Sequence, residues 1–126
     1  MQTYGMPYQG SKRRFAEWIL EHLPYRTHLY DIFAGGCAIS DCALKSGRFR
    51  YVHGNDITDS ALFFKDVIQG TLPDMREFIS RKEFYAKKDD DAYIRMTWSF
   101  GSDLRTYLYS SKKEEIFRRI HEDIFM

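Results

Sequence analysis

Cysteine and proline are scarce in this 126-residue chain, and each scarcity closes off a class of protein. The only cysteines, Cys37 and Cys42, stand five apart in a predicted helix-forming stretch, which suits neither a disulfide framework nor a zinc ligand set. A reducing, cytoplasmic setting is expected. The three prolines, Pro7, Pro24 and Pro73, are never adjacent. No apolar run approaches the roughly 18 residues of a membrane span, and Met1-Gln2-Thr3-Tyr4 lacks a basic-then-apolar signal pattern, so a soluble protein with no membrane partner is expected.

Charge of one sign is missing too. Nineteen basic against eighteen acidic residues leave +1, too little for a long-range field that would attract polyanions. Phosphate contacts would have to come from the local clusters Lys12-Arg13-Arg14, Arg48 with Arg50, and Lys112-Lys113, each of which also reads as a solvated helix or loop end. There is no P-loop, His-Glu-x-x-His or Gly-x-Ser-x-Gly pattern. His22, His28, His53 and His121 are scattered along the chain and read as surface or structural histidines, and Asp89-Asp90-Asp91 reads as a solvated link rather than a metal site.

Aromatic residues are plentiful at 17%, which supplies apolar surface for one globular domain and argues against disorder. The segment after Ser11 places Phe15, Trp18, Ile19 and Leu23 at helical spacing, with Ser11 as N-cap and Pro24 beyond the stripe. Leu29 to Phe33 reads as a buried strand closed by Ala34-Gly35-Gly36, and a helix from Ala38 to Lys45 follows. Tyr51 to Asp56 reads as a second strand. A third helix, capped by Asp59 or Ser60, carries Leu62, Phe63, Val67 and Ile68 and stops near Gly70. Strands alternating with helices imply an α/β fold with a short parallel sheet.

From Pro73 onward the pattern is mainly helical. Met75, Phe78 and Ile79, then Tyr93, Met96 and Phe100, suggest two helices around the charged link Lys87 to Asp91. Ser111-Lys112-Lys113-Glu114 has capping-box form, and Phe117, Ile120 and Ile124 extend it as an amphipathic helix. The expected organisation is an α/β part over residues 1–72 and a helical extension of the same domain over residues 73–126.

Three segments carry candidate chemistry. Asp31-Ile32-Phe33-Ala34-Gly35-Gly36-Cys37 puts an acid and two glycines at the carboxyl end of a strand, where open α/β sheets bind ligands, although an ordinary tight turn has the same look. It is not the Gly-x-Gly-x-x-Gly dinucleotide pattern. Asn55-Asp56 ends the second strand with a carboxylate suited to a ribose diol, or to capping a helix. Asp56 follows Asp31 by 25 residues, close to the roughly 20-residue gap of nucleoside-binding units. Pro7-Tyr8-Gln9-Gly10-Ser11-Lys12 sets an aromatic, a glycine and a lysine before the first helix, where a carboxylate or phosphate can be held, or where a capped helix simply begins.

In order and spacing these segments resemble the DNA adenine-N6 methyltransferases, which begin with Tyr-x-Gly-Ser-Lys, continue through Asp-x-Phe-x-Gly-Gly and then show Asn-Asp-Ile. The similarity is specific from Pro7 to Gly70. Trp98-Ser99-Phe100-Gly101 with Tyr107-Leu108-Tyr109 resembles a later segment of phage-type members. The resemblance implies a partial Rossmann-like methyltransferase fold and S-adenosylmethionine as cofactor. It implies that Tyr8 and Lys12 contact the cofactor, that Asp31, Phe33, Ala34 and Gly35 line its pocket, that Asp56 holds the ribose hydroxyls and that Ile57 flanks the adenine. Cys37 stands where members commonly have a further glycine.

That family transfers the methyl group with an Asp-Pro-Pro-Tyr-type loop acting on a flipped base. These 126 residues contain none, since no two prolines adjoin. The expected function is therefore the cofactor-binding portion of a site-specific DNA adenine methyltransferase, not catalytic by itself, with DNA as the implied partner. The alternative is a non-catalytic relative serving as a nucleic-acid or protein binding module. A two-strand parallel sheet is small, so a complementing chain or pairing of two copies along a strand edge is expected to complete it.

Overall fold

A computed structural model describes residues 3–72 and 74–125. Contacts divide the chain into two compact units, Met1–Gly70 and Thr71–Met126. The first is α/β. A short 3-10 turn, Arg13–Phe15, leads into α1 (Ala16–Glu21), followed by β1 (His28–Asp31), α2 (Ala38–Ser46), β2 (Tyr51–Gly54) and α3 (Ser60–Gln69). The strands pair in parallel, with His28 opposite Tyr51 and Asp31 opposite Gly54. Helix α2 makes the crossover that parallel pairing requires. Pairing runs on past the strands, because Asn55 donates its backbone N–H to Asp31 O at 2.8 Å and Ala34 donates to Asn55 O at 2.8 Å.

One face of this sheet is covered and the other is open. Leu29 and Val52 pack against a core of Ala16 and Leu20 from α1, Ala38, Cys42 and Ala43 from α2, and Tyr4 and Phe49. The opposite face carries His28, Tyr30, Tyr51 and His53, all exposed. The expectation of a buried first strand therefore fails: Tyr30, Ile32 and Phe33 are 64%, 58% and 90% exposed. Two strands with helices on one side can bury only alternate residues. Strand β1 also ends at Asp31, two residues short of the expected Phe33, because the chain turns there toward α2.

The first helix differs for a related reason. Phe15 and Trp18, expected on its buried stripe, are each 60% exposed, whereas Ala16 and Leu20 are buried. A 3-10 start changes the angular phase of the helix, and the small Ala16 permits close approach to the helix beside it. Arg48 then fixes the end of α1, donating from its guanidinium to the carbonyls of Leu20 and Leu23. Helix α3 ends as expected at Gly70, whose φ of +72° provides a left-handed cap.

The second unit holds α4 (Arg81–Lys87), α5 (Ala92–Thr97), a 3-10 turn (Phe100–Ser102) and α6 (Glu114–Phe125). Its core is aromatic, with Phe84 fully buried and Trp98 and Tyr107 nearly so. The Tyr107 hydroxyl donates to Ile79 O at 2.5 Å and Trp98 Nε1 donates to the Tyr93 hydroxyl at 3.3 Å, so the buried polar tips are satisfied. Met75, Phe78 and Ile79 lie before α4 rather than on a helix. Ser80 is the reason: its hydroxyl accepts from Glu83 N at 3.1 Å and starts α4 one turn later. Asp91 caps α5 in the same way, accepting from Ile94 N at 3.1 Å. Glu114 does not reach back as a capping-box partner; its carboxylate accepts from Arg81 N at 2.9 Å. Ile120 and Ile124, expected on the packed face of α6, are 47% and 67% exposed, while Phe117 stacks on Tyr109 at 4.4 Å.

Candidate cofactor site

The site lies at the carboxyl ends of β1 and β2, where the N-terminal strand-like segment crosses the turn that leads into α2. That segment is pinned along its length. Gly5 N donates to Asp41 Oδ2 at 2.8 Å, Met6 N donates to Gly36 O at 2.8 Å, and Arg13 Nη2 donates to Met6 O at 2.9 Å. The crossing needs glycine on the turn. A Cβ on Gly36 would lie 2.6 Å from Tyr8 Cβ and 2.8 Å from Met6 O, closer than atoms can pack.

Tyr8, Lys12, Asp31, Phe33, Ala34, Gly35 and Asp56 line one cavity of about 260 Å³, together with Gly10, Ser11, Gly36, Ala38 and Ile39. Seven of the eight candidate residues thus come together. Ile57 does not: it is fully exposed and stands outside this cavity. The tip of the turn after β2 faces solvent, and nothing in the residue types around it distinguishes a lining position from a projecting one.

Three carboxylates organise the surroundings. Asp31 Oδ2 accepts from the Ser40 hydroxyl at 2.7 Å. Asp41 is buried in α2 and bridges Gly5 N and Lys45 Nζ, the latter at 3.0 Å. Asp56 ties the two strand ends together, with Oδ1 accepting from Gly35 N at 3.0 Å and Oδ2 from Thr58 N and Oγ1 at 3.1 and 2.8 Å. Burial works against the charged form of Asp56, but the hydrogen bonds from Thr58 and Gly35 outweigh it and hold its carboxyl below the usual range. A carboxylate has about four lone-pair sites. Thr58 and Gly35 fill three and Ser60 also acts on the carboxylate, so a ligand hydroxyl would compete with these protein donors for Asp56. Asp56 is also not the cap of α3, a place taken by Asp59.

The first helix contributes less to anion binding than its sequence implies. Ser11 Oγ already accepts from Arg13 N at 3.2 Å, and α1 has only six residues, so its dipole is small. Lys12 remains on the rim, with Nζ donating to Gly10 O at 3.1 Å. Arg13 and Arg48 spend their guanidinium groups on backbone carbonyls of the same unit, which removes them as free phosphate contacts.

Cys37 adopts φ +65° and ψ +28°, the left-handed region that favours glycine. Its side chain is 1% exposed and lines a second cavity, of about 580 Å³, between α2 and α3. The thiol therefore points away from the smaller cavity and leaves it unobstructed. Burial, aided by Asp31, Asp56 and Asp41, pushes its pKa up to about 12. The second cavity is larger, is lined by Leu44, Val52, Phe64 and Ile68, and contains only Asp56 among the candidate residues.

Thr58, a partner of Asp56, was not singled out by motif; a hydroxyl two residues after a strand-end Asp is the one signal that marks such a turn. Among the described residues no group of three or more His, Cys, Asp or Glu side chains forms a metal site, and no helix is long and apolar enough to cross a membrane. Comparison with curated proteins finds no match, and comparison with solved structures finds none. A family model for D12 class N6 adenine-specific DNA methyltransferases matches residues 8–123, from the tyrosine of the cavity through the second unit. The chain belongs to the D12 class N6 adenine-specific DNA methyltransferase family.

Proposed function

We propose that this chain is the S-adenosylmethionine-binding portion of a site-specific DNA adenine-N6 methyltransferase. The observation that carries the reading is the convergence of Tyr8, Lys12, Asp31, Gly35 and Asp56 on one cavity at the carboxyl edge of a parallel sheet. The sheet is the first part of a Rossmann-like methyltransferase fold.

The donor set fits the cofactor's chemistry. Asp31 presents a carboxylate to the ammonium of a methionine moiety, and Lys12 presents a cation to its carboxylate. Gly35 and Gly36 keep Cβ atoms out of the turn, so backbone forms one wall beneath the Tyr8 ring. Asp56 would accept from a ribose hydroxyl in competition with Thr58 Oγ1. At about 260 Å³ the cavity lies just under the usual 300–1,000 Å³ of small-ligand sites, which suits the amino-acid end and ribose better than the whole nucleoside. Phe33, which is 90% exposed at the rim, would offer the adenine an aromatic face. When bound, S-adenosylmethionine supplies a methyl group on a sulfonium, and the residues present here bind and orient rather than transfer.

No Asp-Pro-Pro-Tyr loop occurs within these residues, so base selection and methyl transfer belong to sequence outside them or to another polypeptide. DNA is the partner in this reading, and a complementing chain or second copy along a strand edge is the route to a fuller sheet. The competing reading, a non-catalytic binding module, predicts no cofactor uptake. Calorimetry with S-adenosylhomocysteine decides between them: the proposal expects binding that Asp56→Ala weakens at least tenfold, and absence of heat at millimolar ligand refutes it.

A further inference from the structure

We propose that His28 and His53 form a two-histidine chelate for a divalent transition-metal ion, copper(II) or nickel(II), on the open face of the sheet. Their separation in sequence hides the pairing. The parallel register sets His28 opposite Tyr51 and Tyr30 opposite His53, and residues two apart on a strand share a face, so all four rings project to the same side. His28 Nδ1 and His53 Nε2 approach to 2.9 Å, and the two rings lie within 15° of parallel. Tyr51 stacks on His28 at 4.8 Å and Tyr30 on His53 at 4.4 Å, which holds both imidazoles upright while leaving them in solvent.

Ligand chemistry selects the ion. The present 2.9 Å is the length of an N–H···N hydrogen bond, which brings the two imidazoles within reach of one ion once they turn toward it. A pair of neutral imidazoles with water in the remaining positions suits copper(II) and nickel(II), in the tetragonal geometry those ions take with nitrogen and oxygen ligands. Water fills the other positions, since no third His, Cys, Asp or Glu among the described residues joins the pair. The proton now shared between the facing nitrogens moves to the other nitrogen of its ring through solvent, so both lone pairs turn to the metal and none is lost overall. Exposed rings can make that turn, about their side-chain torsions, without disturbing the backbone. The ion would bridge β1 to β2, the strands that carry Asp31 and lead into Asp56, and so would fix their register.

The test is titration of the 126-residue chain with copper(II) and with nickel(II), free of cofactor. We expect one equivalent bound, a higher melting temperature with metal, and a copper(II) resonance spectrum showing two equatorial nitrogens. His28→Gln and His53→Gln each abolish the stoichiometric site and the thermal shift, whereas His22→Gln and His121→Gln keep both. Retention of the site in His28→Gln or His53→Gln, a melting temperature unchanged or lowered by metal, or a spectrum with fewer than two nitrogens overturns the proposal. The spectrum is read on the unaltered chain, so it decides the matter even if a variant fails to fold.

Discussion

The two compact units solve different problems with the same residue types. In Met1–Gly70 small buried side chains, among them Ala16, Ala38, Cys37, Cys42 and Ala43, sit beside Tyr4, Leu20 and Phe49, and backbone runs against backbone at Gly5 and Gly36. Carboxylates hold that arrangement by hydrogen bonds to backbone N–H groups at Gly5, Gly35 and Thr58. In Thr71–Met126 the buried side chains are large, with Phe84, Trp98 and Tyr107 at the centre. The first unit leaves space for a ligand at the edge of its sheet. The second fills its space with rings. Close backbone approach builds a cavity with defined polar walls, whereas aromatic packing builds stability.

The sharpest way to break this contrast is to remove the largest packing group. Phe84→Ala should cost about 3–5 kcal/mol, the usual loss for a buried phenylalanine. Urea unfolding should show a destabilised second unit while S-adenosylhomocysteine still shifts the amide resonance of Gly35; loss of that shift would mean the site depends on the aromatic core.

Next in size is Gly36→Ala, whose added methyl meets Tyr8 Cβ and Met6 O. It should cost about 1–3 kcal/mol by overpacking, and it should weaken ligand binding by displacing Tyr8. An alanine at this position with unchanged thermal midpoint would show that the crossing is looser than the structure indicates.

The acid limb of stability gives a smaller effect. Because the folded pKa of Asp56 is depressed, its contribution is present above the unfolded value, about 3.9, and disappears as pH falls through the folded value. Asp56→Asn should therefore lower stability at pH 7 and lose less between pH 5 and pH 2 than the unaltered chain. Parallel pH profiles for the two proteins would remove the carboxylate from the account.

The smallest effect concerns Cys37, whose thiol is buried and whose pKa is pushed up to about 12. Alkylation at pH 8 should leave it unmodified until the chain is unfolded, and rapid labelling of the native protein at Cys37 would contradict the placement of its side chain between α2 and α3.

Much of the first unit was legible because its signals are local. Alternating strand and helix patterns found β1, α2, β2 and α3, and glycines beside acids found the turn that lines the cavity. Burial was not legible. Leu29 to Phe33 looks like a core strand, yet only its alternate residues meet helices, so Tyr30 faces solvent. The pairing of His28 with His53 depends on strand register, which sequence spacing alone does not reveal. In the second unit Ser80 and Asp91 cap α4 and α5 through single hydrogen bonds; apolar periodicity alone placed the first of these helices too early, while Tyr93 and Met96 do lie on α5. Ile57 lies outside the cavity, since one residue past Asp56 the chain already points outward.

Amide chemical-shift mapping with S-adenosylhomocysteine tests the central claim most directly, because it locates the ligand as well as detecting it. The account predicts shifts concentrated at Gly10, Ser11, Ala34, Gly35 and Asp56, with none at Leu44 or Ile68 between α2 and α3. Shifts confined to that second cavity, or no shifts at saturating ligand, would contradict it.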